Sequence, residues 1–449
     1  MMRQKRTRRS AIPTLCAGLT CVGITTHGLT TVSRAAEPTW PQFGGPDRNF
    51  MVKASGLAEK WPEAGPKQLW KRELGDGYAT VVSDGERLYT MYRVENDEFA
   101  VALDAKTGKT VWEQKNASPF TKEMAEFGPG PHATPLIAGA HVYTIGTNAV
   151  MHCFEKTTGK IVWMHDLPAE FKAPVPGRGY GASPIVYKNT VIVVVDRERP
   201  QPGPGDAADK PKENEKPAAG QSLMAFDLLS GSPVWKSLDL EMSYASPILI
   251  KFKGQEQLVL FTANELAGVN PNDGSLYWTH PHKTQYGANL STPAFNGQDL
   301  LFCSAAYDSG SQVVQLAKEG DKTVAKELWF GKKMRLHHGN PIVIDDHVYG
   351  SSGDFGPAFF MGLDIKTGKV DWRERGFSKA TCVAAGDKII ILDEDGNLAL
   401  ATLTPQALTV LGKTKIAEKY AWAAPTLVGK TLYVRDRKNV MAFDLGGGN

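Results

Sequence analysis

Ten residues, LDAKTGKTVW from Leu103 to Trp112, recur along this chain in near-copy. The others are FEKTTGKIVW (Phe154 to Trp163), FDLLSGSPVW (Phe226 to Trp235), VNPNDGSLYW (Val269 to Trp278) and LDIKTGKVDW (Leu363 to Trp372). An alternating strand such as EFAVALD precedes each copy, and a short strand ending in Trp follows the turn. Each copy therefore reads as a β-hairpin in which Gly108, Gly159, Gly231, Gly274 or Gly368 supplies the positive φ of a four-residue turn and bulge. A large flat ring at one fixed place per unit fills the wedge between stacked sheets. That assigns Trp70, Trp112, Trp163, Trp235, Trp278, Trp329 and Trp372 to packing rather than catalysis.

Upstream of each hairpin lies a second regularity, as in HATPLIAGAHVYTIG and GASPIVYKNTVIVVV. It predicts two further strands, with Pro135, Pro184, Pro247, Pro293, Pro341 and Pro425 at the start of the first, where a proline costs no ladder bond. Four strands per unit at intervals of 42 residues (Trp70 to Trp112) and 43 (Trp235 to Trp278) is the period of propeller blades. Eight units can be counted. The seventh lacks both Trp and the Gly turn, and the eighth stops after its third strand. KQLWKREL, Lys67 to Leu74, is a Trp-bearing strand with no hairpin partner before it, and it predicts the closure of blade eight. The expected fold is thus all-β, an eight-bladed β-propeller of four-stranded antiparallel blades over residues 67–449, preceded by an approach segment, 37–66. Residues 197–222, rich in Pro, Gly and charge, are expected to be a disordered loop inserted in blade three.

The first 36 residues read as a secretory signal peptide: a basic start, an apolar run too short to span a bilayer comfortably, and small residues in VSRAAEP that predict cleavage after Ala35 or Ala36. The Arg8-Arg9 pair is compatible with twin-arginine export as well as the general route. Neither Cys16 nor Cys21 follows the small residue that a lipoprotein site wants. The leader also decides the charge. The whole chain carries 51 basic and 48 acidic residues; without the leader's six the counts are 45 and 48. Nucleic-acid binding loses its compositional support, and no membrane insertion is expected once the leader is cleaved. Cys153, Cys303 and Cys382, widely spaced in apolar runs, are expected to be buried free thiols.

The LD-x-x-TG-x-x-x-W repeats, the S/T-P strand starts and the count of eight resemble the PQQ-like (quinoprotein-type) β-propeller repeat family over residues 67–449. The opening WPQFGGPDRN, Trp40 to Asn49, is similar to that of exported bacterial PQQ-binding-like repeat proteins. The resemblance implies one of two roles. Quinoprotein dehydrogenases hold pyrroloquinoline quinone over Ca²⁺, with adjacent cysteines, a stacking Trp and an Asp base. The BamB-like branch is a non-catalytic scaffold that binds protein partners through loops. No adjacent Cys pair occurs here.

Strand direction puts the TG turns on one face, and the blade-to-blade connections with the second-to-third-strand loops on the other. Three residues ahead of the proline position stand Tyr78, His132, Gly181, Tyr244, Leu290, His338, Lys379 and Trp422, predicted to ring the channel mouth. With Arg178, Tyr180, Asn289 and His337 beside them and Asp354 within reach, they make either a small-ligand or peptide site or a packed rim. No metal centre is expected, since His337, His338 and Asp354 would need His132 from across the channel. Nor is there a nucleophile elbow, a phosphate loop or an HExxH. The expectation is an exported, monomeric, non-catalytic propeller that binds a protein or carbohydrate partner at the channel face and needs no cofactor. The alternative is a periplasmic alcohol dehydrogenase-like oxidoreductase using pyrroloquinoline quinone with Ca²⁺, Trp422 stacking on it and Asp354 or Asp308 as base.

Overall fold

The computed structural model describes residues 38–125, 128–196, 220–354 and 356–447. The expected signal peptide and all but the last three residues of the expected blade-three loop lie outside them. Those three, Gly220 to Ser222, are packed: Ser222 N–H bonds Leu238 O at 3.0 Å, and its hydroxyl donates to Leu240 O at 2.8 Å.

The described strands form eight sheets of the predicted kind, arranged as blades at 82–117, 136–166, 185–237, 248–281, 294–331, 342–374, 380–415 and 426–444. Blade eight takes its fourth strand from Lys67–Glu73, which pairs antiparallel with Asn439–Asp444 from Lys67 opposite Asp444 to Glu73 opposite Asn439. The ring is closed by main-chain bonds between its two ends, as the orphan Trp70 implied.

Each repeat turns out to be half of a contact with its neighbour. The indole of Trp70 lies on Gly108 of blade one, Trp112 on Gly159, Trp163 on Gly231, Trp235 on Gly274 and Trp329 on Gly368. A Cβ built on those glycines would fall 2.6 to 2.8 Å from the ring, and their φ angles, between 65° and 75°, belong to the left-handed region. Glycine is thus required twice, for backbone shape and for space. Four of these indoles also donate to the turn they cover: Trp70 to Ala105 O at 3.1 Å, Trp112 to Lys156 O at 2.9 Å, Trp163 to Leu228 O at 3.0 Å and Trp329 to Ile365 O at 2.7 Å. Within its own blade each Trp stands opposite a compact residue, such as Ala102, Cys153, Ala225, Gly268, Gly362 or Ala442. Cys153 is a small packing residue, and all three described cysteines are buried and unpaired.

Where the motif fails, other residues take over. Blade five has no TG turn, and Trp278 instead donates to Gln257 Oε1 at 2.8 Å, while Gln257 reaches Thr323 of blade five at 3.3 Å. Blade seven has no Trp, and the wedge beside it is filled from upstream by Trp61, which packs on Gly412 and into the shared core of blades seven and eight.

The approach segment also fills the channel. It rises from the TG-turn face beside Ser83 (Trp40 N to Ser83 O, 2.9 Å) and turns at Gly44 and Gly45, with φ of 74° and 83°. It then descends along blade seven, where Met51–Val52 pair parallel with Ala384 and Ala385. At the tip, the buried Arg48 side chain donates to Pro247 O and Pro184 O, both at 2.9 Å, and to Ser183 O at 3.4 Å. Carbonyl oxygens of two blades, with Gln42, meet its charge.

Gly159→Ala is expected to cost about 2–4 kcal/mol, from left-handed strain plus overpacking against Trp112. Gly139→Ala has a positive φ too but meets nothing within 4 Å, so it is expected to cost about 1 kcal/mol. Denaturant unfolding of the two variants measures the difference; equal costs would remove the interblade contact as its cause.

Candidate functional site

The inner strand of every blade runs away from the face opposite the TG turns, so the residues ahead of each strand-start proline collect around one end of the channel. Hydroxyls of the S/T-P positions tie these starts together. Thr80 N–H bonds Thr134 Oγ1 at 3.1 Å, Thr134 N–H bonds Ser183 Oγ at 3.0 Å, and Ser183 N–H bonds Ser246 Oγ at 2.9 Å. Between blades six and seven, Asn340 does the same work by bonding both N–H and C=O of Cys382 at 2.9 Å. Two buried arginines brace the loops above. Arg93 pairs with the equally buried Glu98 at 2.7 Å and donates to Pro129 O and Ser118 O, while Arg435 donates to Gly77 O at 3.0 Å.

On this belt the predicted mouth residues form a ribbon of rings. His132 stacks on Tyr78 with centroids 5.4 Å apart and planes within 1°, and Tyr78 stacks on Trp422 at 5.0 Å. Trp422 meets His338 at 4.9 Å, and His337 meets His338 at 5.1 Å with their Nδ1 atoms 3.0 Å apart. Tyr307 Oη lies 2.7 Å from His337 Nε2, and Tyr286 packs edge-on against Tyr307 at 5.1 Å. At the other end, Gly181 lets Tyr244 approach His132: a Cβ there would be 3.2 Å from the Tyr244 ring. Trp422 Nε1–H donates to Glu394 Oε2 at 3.0 Å, and Lys379 Nζ lies 3.6 Å from the same carboxylate.

Not every predicted residue reaches the opening. Asn289 is fully buried and donates to Thr262 O at 2.5 Å, so it holds the loop that leads into blade five. Tyr180 is buried beneath Tyr244's side of the rim. The Asp354 carboxylate lies 3.5 Å from Arg335, and Asp308 pairs with Lys332 at 2.8 Å and Arg335 at 3.4 Å. His132 is separated from His338 by the rings of Tyr78 and Trp422, so the three histidines do not converge. Sequence reasoning missed Tyr307, Tyr286, Glu394 and Arg335, which come from loops without a repeat position to align. It also left the channel open, where the approach segment makes the mouth a blind cup.

Burial holds the histidines neutral. It pushes His132 down to about 4 and, with the charges of Lys379 and Arg178 against the pull of Asp354, His337 to about 4 as well. His338 lies well below its ordinary value for the same reason, helped by His337.

These residues do not fit a quinone over calcium. Trp422 is already packed against Tyr78 and His338 with its N–H on Glu394, so a planar cofactor could stack on it only by displacing one of them. Asp308 and Asp354 face arginine and lysine, and no group of three or more metal-ligating residues occurs among the described residues.

Eight four-stranded blades, five of their junctions clamped by a Trp on a glycine turn, around a mouth lined with rings define a quinoprotein-type propeller. More narrowly, the chain belongs to the family described as outer membrane protein assembly factor BamB, whose family model matches residues 55–143 and 95–374. It is 23% identical over 377 residues to the BamB of Burkholderia pseudomallei, covering 76% of this chain and 89% of that protein. It is 22% identical over 323 residues to the tetrathionate hydrolase of Acidithiobacillus ferrooxidans, covering 67% of this chain but only 54% of that one. Among solved structures, the quinohemoprotein alcohol dehydrogenase of Comamonas testosteroni superposes with a TM-score of 0.59 at 14% identity, over 92% of this chain and 82% of that one. The computationally designed Ika8 protein superposes at 0.52 and 13%, over 84% and 99%. These structural likenesses speak for the fold. No helix among the described residues is long and apolar enough to cross a membrane.

Because the histidines titrate below their ordinary value of about 6.5, the unfolded chain binds protons that the fold refuses. Stability from this source is whole above about pH 6.5 and is lost as pH falls toward about 4. Thermal midpoints should fall from about pH 7.5 to 4.5, and a His337→Asn/His338→Asn variant should fall less steeply. Parallel slopes would place the loss elsewhere.

Proposed function

We propose that this chain is an exported, non-catalytic propeller that binds a protein partner at the ribbed mouth. The observation that carries the reading is the ring ribbon across a blind cup. Aromatic side chains held rigid by one another, with Tyr286 64% and Tyr420 36% exposed at its margin, offer amphipathic contact area at little further entropic cost. A carbohydrate is the weaker fit, because sugars stack on open ring faces and here His132, Tyr78 and Trp422 cover one another. Membership of the BamB family supports a protein partner, and the alcohol dehydrogenase reading lacks a seat for its quinone. Export rests on the leader, and the monomeric state is part of the same proposal.

A photo-crosslinker placed at position 286 or 420 in the producing cell should capture a protein. One at position 229, where Leu229 is 69% exposed on the TG-turn face, should not. Capture from 229 alone would move the partner to the other face. With pyrroloquinoline quinone and Ca²⁺ the purified protein should show neither a cofactor absorption band nor dye-linked alcohol oxidation. Appearance of both would overturn the non-catalytic reading.

A further inference from the structure

At the end of the ribbon away from His132, a phenol and an imidazole meet in a way that partner binding does not use. Tyr307 Oη lies 2.7 Å from His337 Nε2, with the two rings edge-on at 5.2 Å. His337 Nδ1 lies in turn 3.0 Å from His338 Nδ1. A phenol is a far stronger acid than a neutral imidazole, so the Tyr307 hydroxyl donates and His337 Nε2 accepts. That bond fixes the tautomer: His337 carries its one proton on Nδ1, toward the second histidine. Ring contacts lead from this pair to solvent. Tyr307 touches Tyr286, which is 64% exposed, at 5.1 Å.

A phenol that gives up an electron while keeping its proton becomes a strongly acidic cation. Its oxidation is therefore easy only where a base already holds the hydroxyl. His337 is such a base. Even held down at about 4 by burial, it is far more basic than an oxidised phenol, and Asp354 pulls in its favour. Two other tyrosines face a base without the same access. Tyr92 donates to Glu113 at 2.6 Å, but among the described residues its ring meets only Phe99, which resists oxidation. Tyr187 donates to Glu256 at 2.9 Å and is buried. We propose that Tyr307 and His337 form a proton-coupled redox pair that takes up one-electron oxidising equivalents at the mouth through Tyr286. The oxidant is a solvent-borne radical or high-valent metal complex, and it is reduced by one electron. That electron leaves Tyr307 by way of the Tyr286 ring, the Tyr307 O–H bond breaks, and its proton moves to His337 Nε2. A neutral phenoxyl radical is left beside an imidazolium. The inference is independent of the proposed partner, since it concerns the purified protein alone.

Flash photolysis tests it, with tris(bipyridine)ruthenium(III) generated in the protein solution as the oxidant and the phenoxyl radical followed by transient absorption and EPR. The radical should form, and Tyr307→Phe should remove most of it while Tyr92→Phe removes none. His337→Gln keeps a hydrogen-bond acceptor but cannot take the proton, and it should slow radical formation by about tenfold or more. The wild-type rate should also fall in deuterium oxide, because the proton moves with the electron. Melting temperatures show whether the variants are folded. Tyr286→Phe, at an exposed position, keeps the ring but closes the entry, so it should slow formation even if the other two variants fold poorly. If Tyr307→Phe leaves the radical yield unchanged, or His337→Gln leaves its rate unchanged, the inference falls. Should both lose their fold, an unchanged rate in Tyr286→Phe overturns it instead. Capture at positions 286 and 420 can fail while the radical forms, so the two readings are separable.

Discussion

An indole laid on a left-handed glycine of the next blade is the contact on which this ring depends. It joins two requirements that would otherwise be separate. The turn needs positive φ, and the neighbouring Trp needs the volume that any Cβ would occupy. Its N–H then lands on a carbonyl of the turn it covers, so a large buried ring carries no unsatisfied donor at Trp70, Trp112, Trp163 or Trp329. Each blade is thereby fixed by the one before it. The two breaks in the pattern are repaired with different chemistry, a Gln257–Thr323 bridge at blade five and Trp61 at blade seven.

That rigidity is what makes the mouth a surface rather than a set of loops. The hydroxyl belt aligns the strand starts, and Arg48 pins the channel filling to blades three and four. Rings that begin on different blades therefore meet at stacking distance. The same order sets limits on chemistry. Trp422, stacked and hydrogen-bonded, is a structural member of the ribbon, and acids at the rim are neutralised by Arg335 and Lys332. The family is shared with a protein named for outer-membrane assembly, and the fold with one named for alcohol oxidation, so neither by itself carries the chemistry.

Much of the mouth was legible because strand direction is fixed by counting strands. His132, Tyr78, His338 and Trp422 follow from one alignment on the strand-start prolines. Asn289 shows the limit of that method. It stands one position from the aligned ring, yet its side chain turns inward to Thr262. Alternation along a chain says which face of a strand a residue occupies, but in an irregular connection side-chain direction is set by what the loop packs against.

The sequence by itself determined the repeat, its hairpins, the number of blades and the strand that closes them, because these rest on periodicity and turn stereochemistry, which act within a few residues. Only the tertiary structure decided that WPQFGGPDRN fills the channel, that Trp61 stands in for a missing indole, and that loops from different blades bring their rings into one ribbon. Arg48 meets Pro184 and Pro247 across separations of 136 and 199 residues. Nothing local in the chain encodes such meetings; they exist because eight clamped blades leave one central space and the approach segment has the shape to enter it.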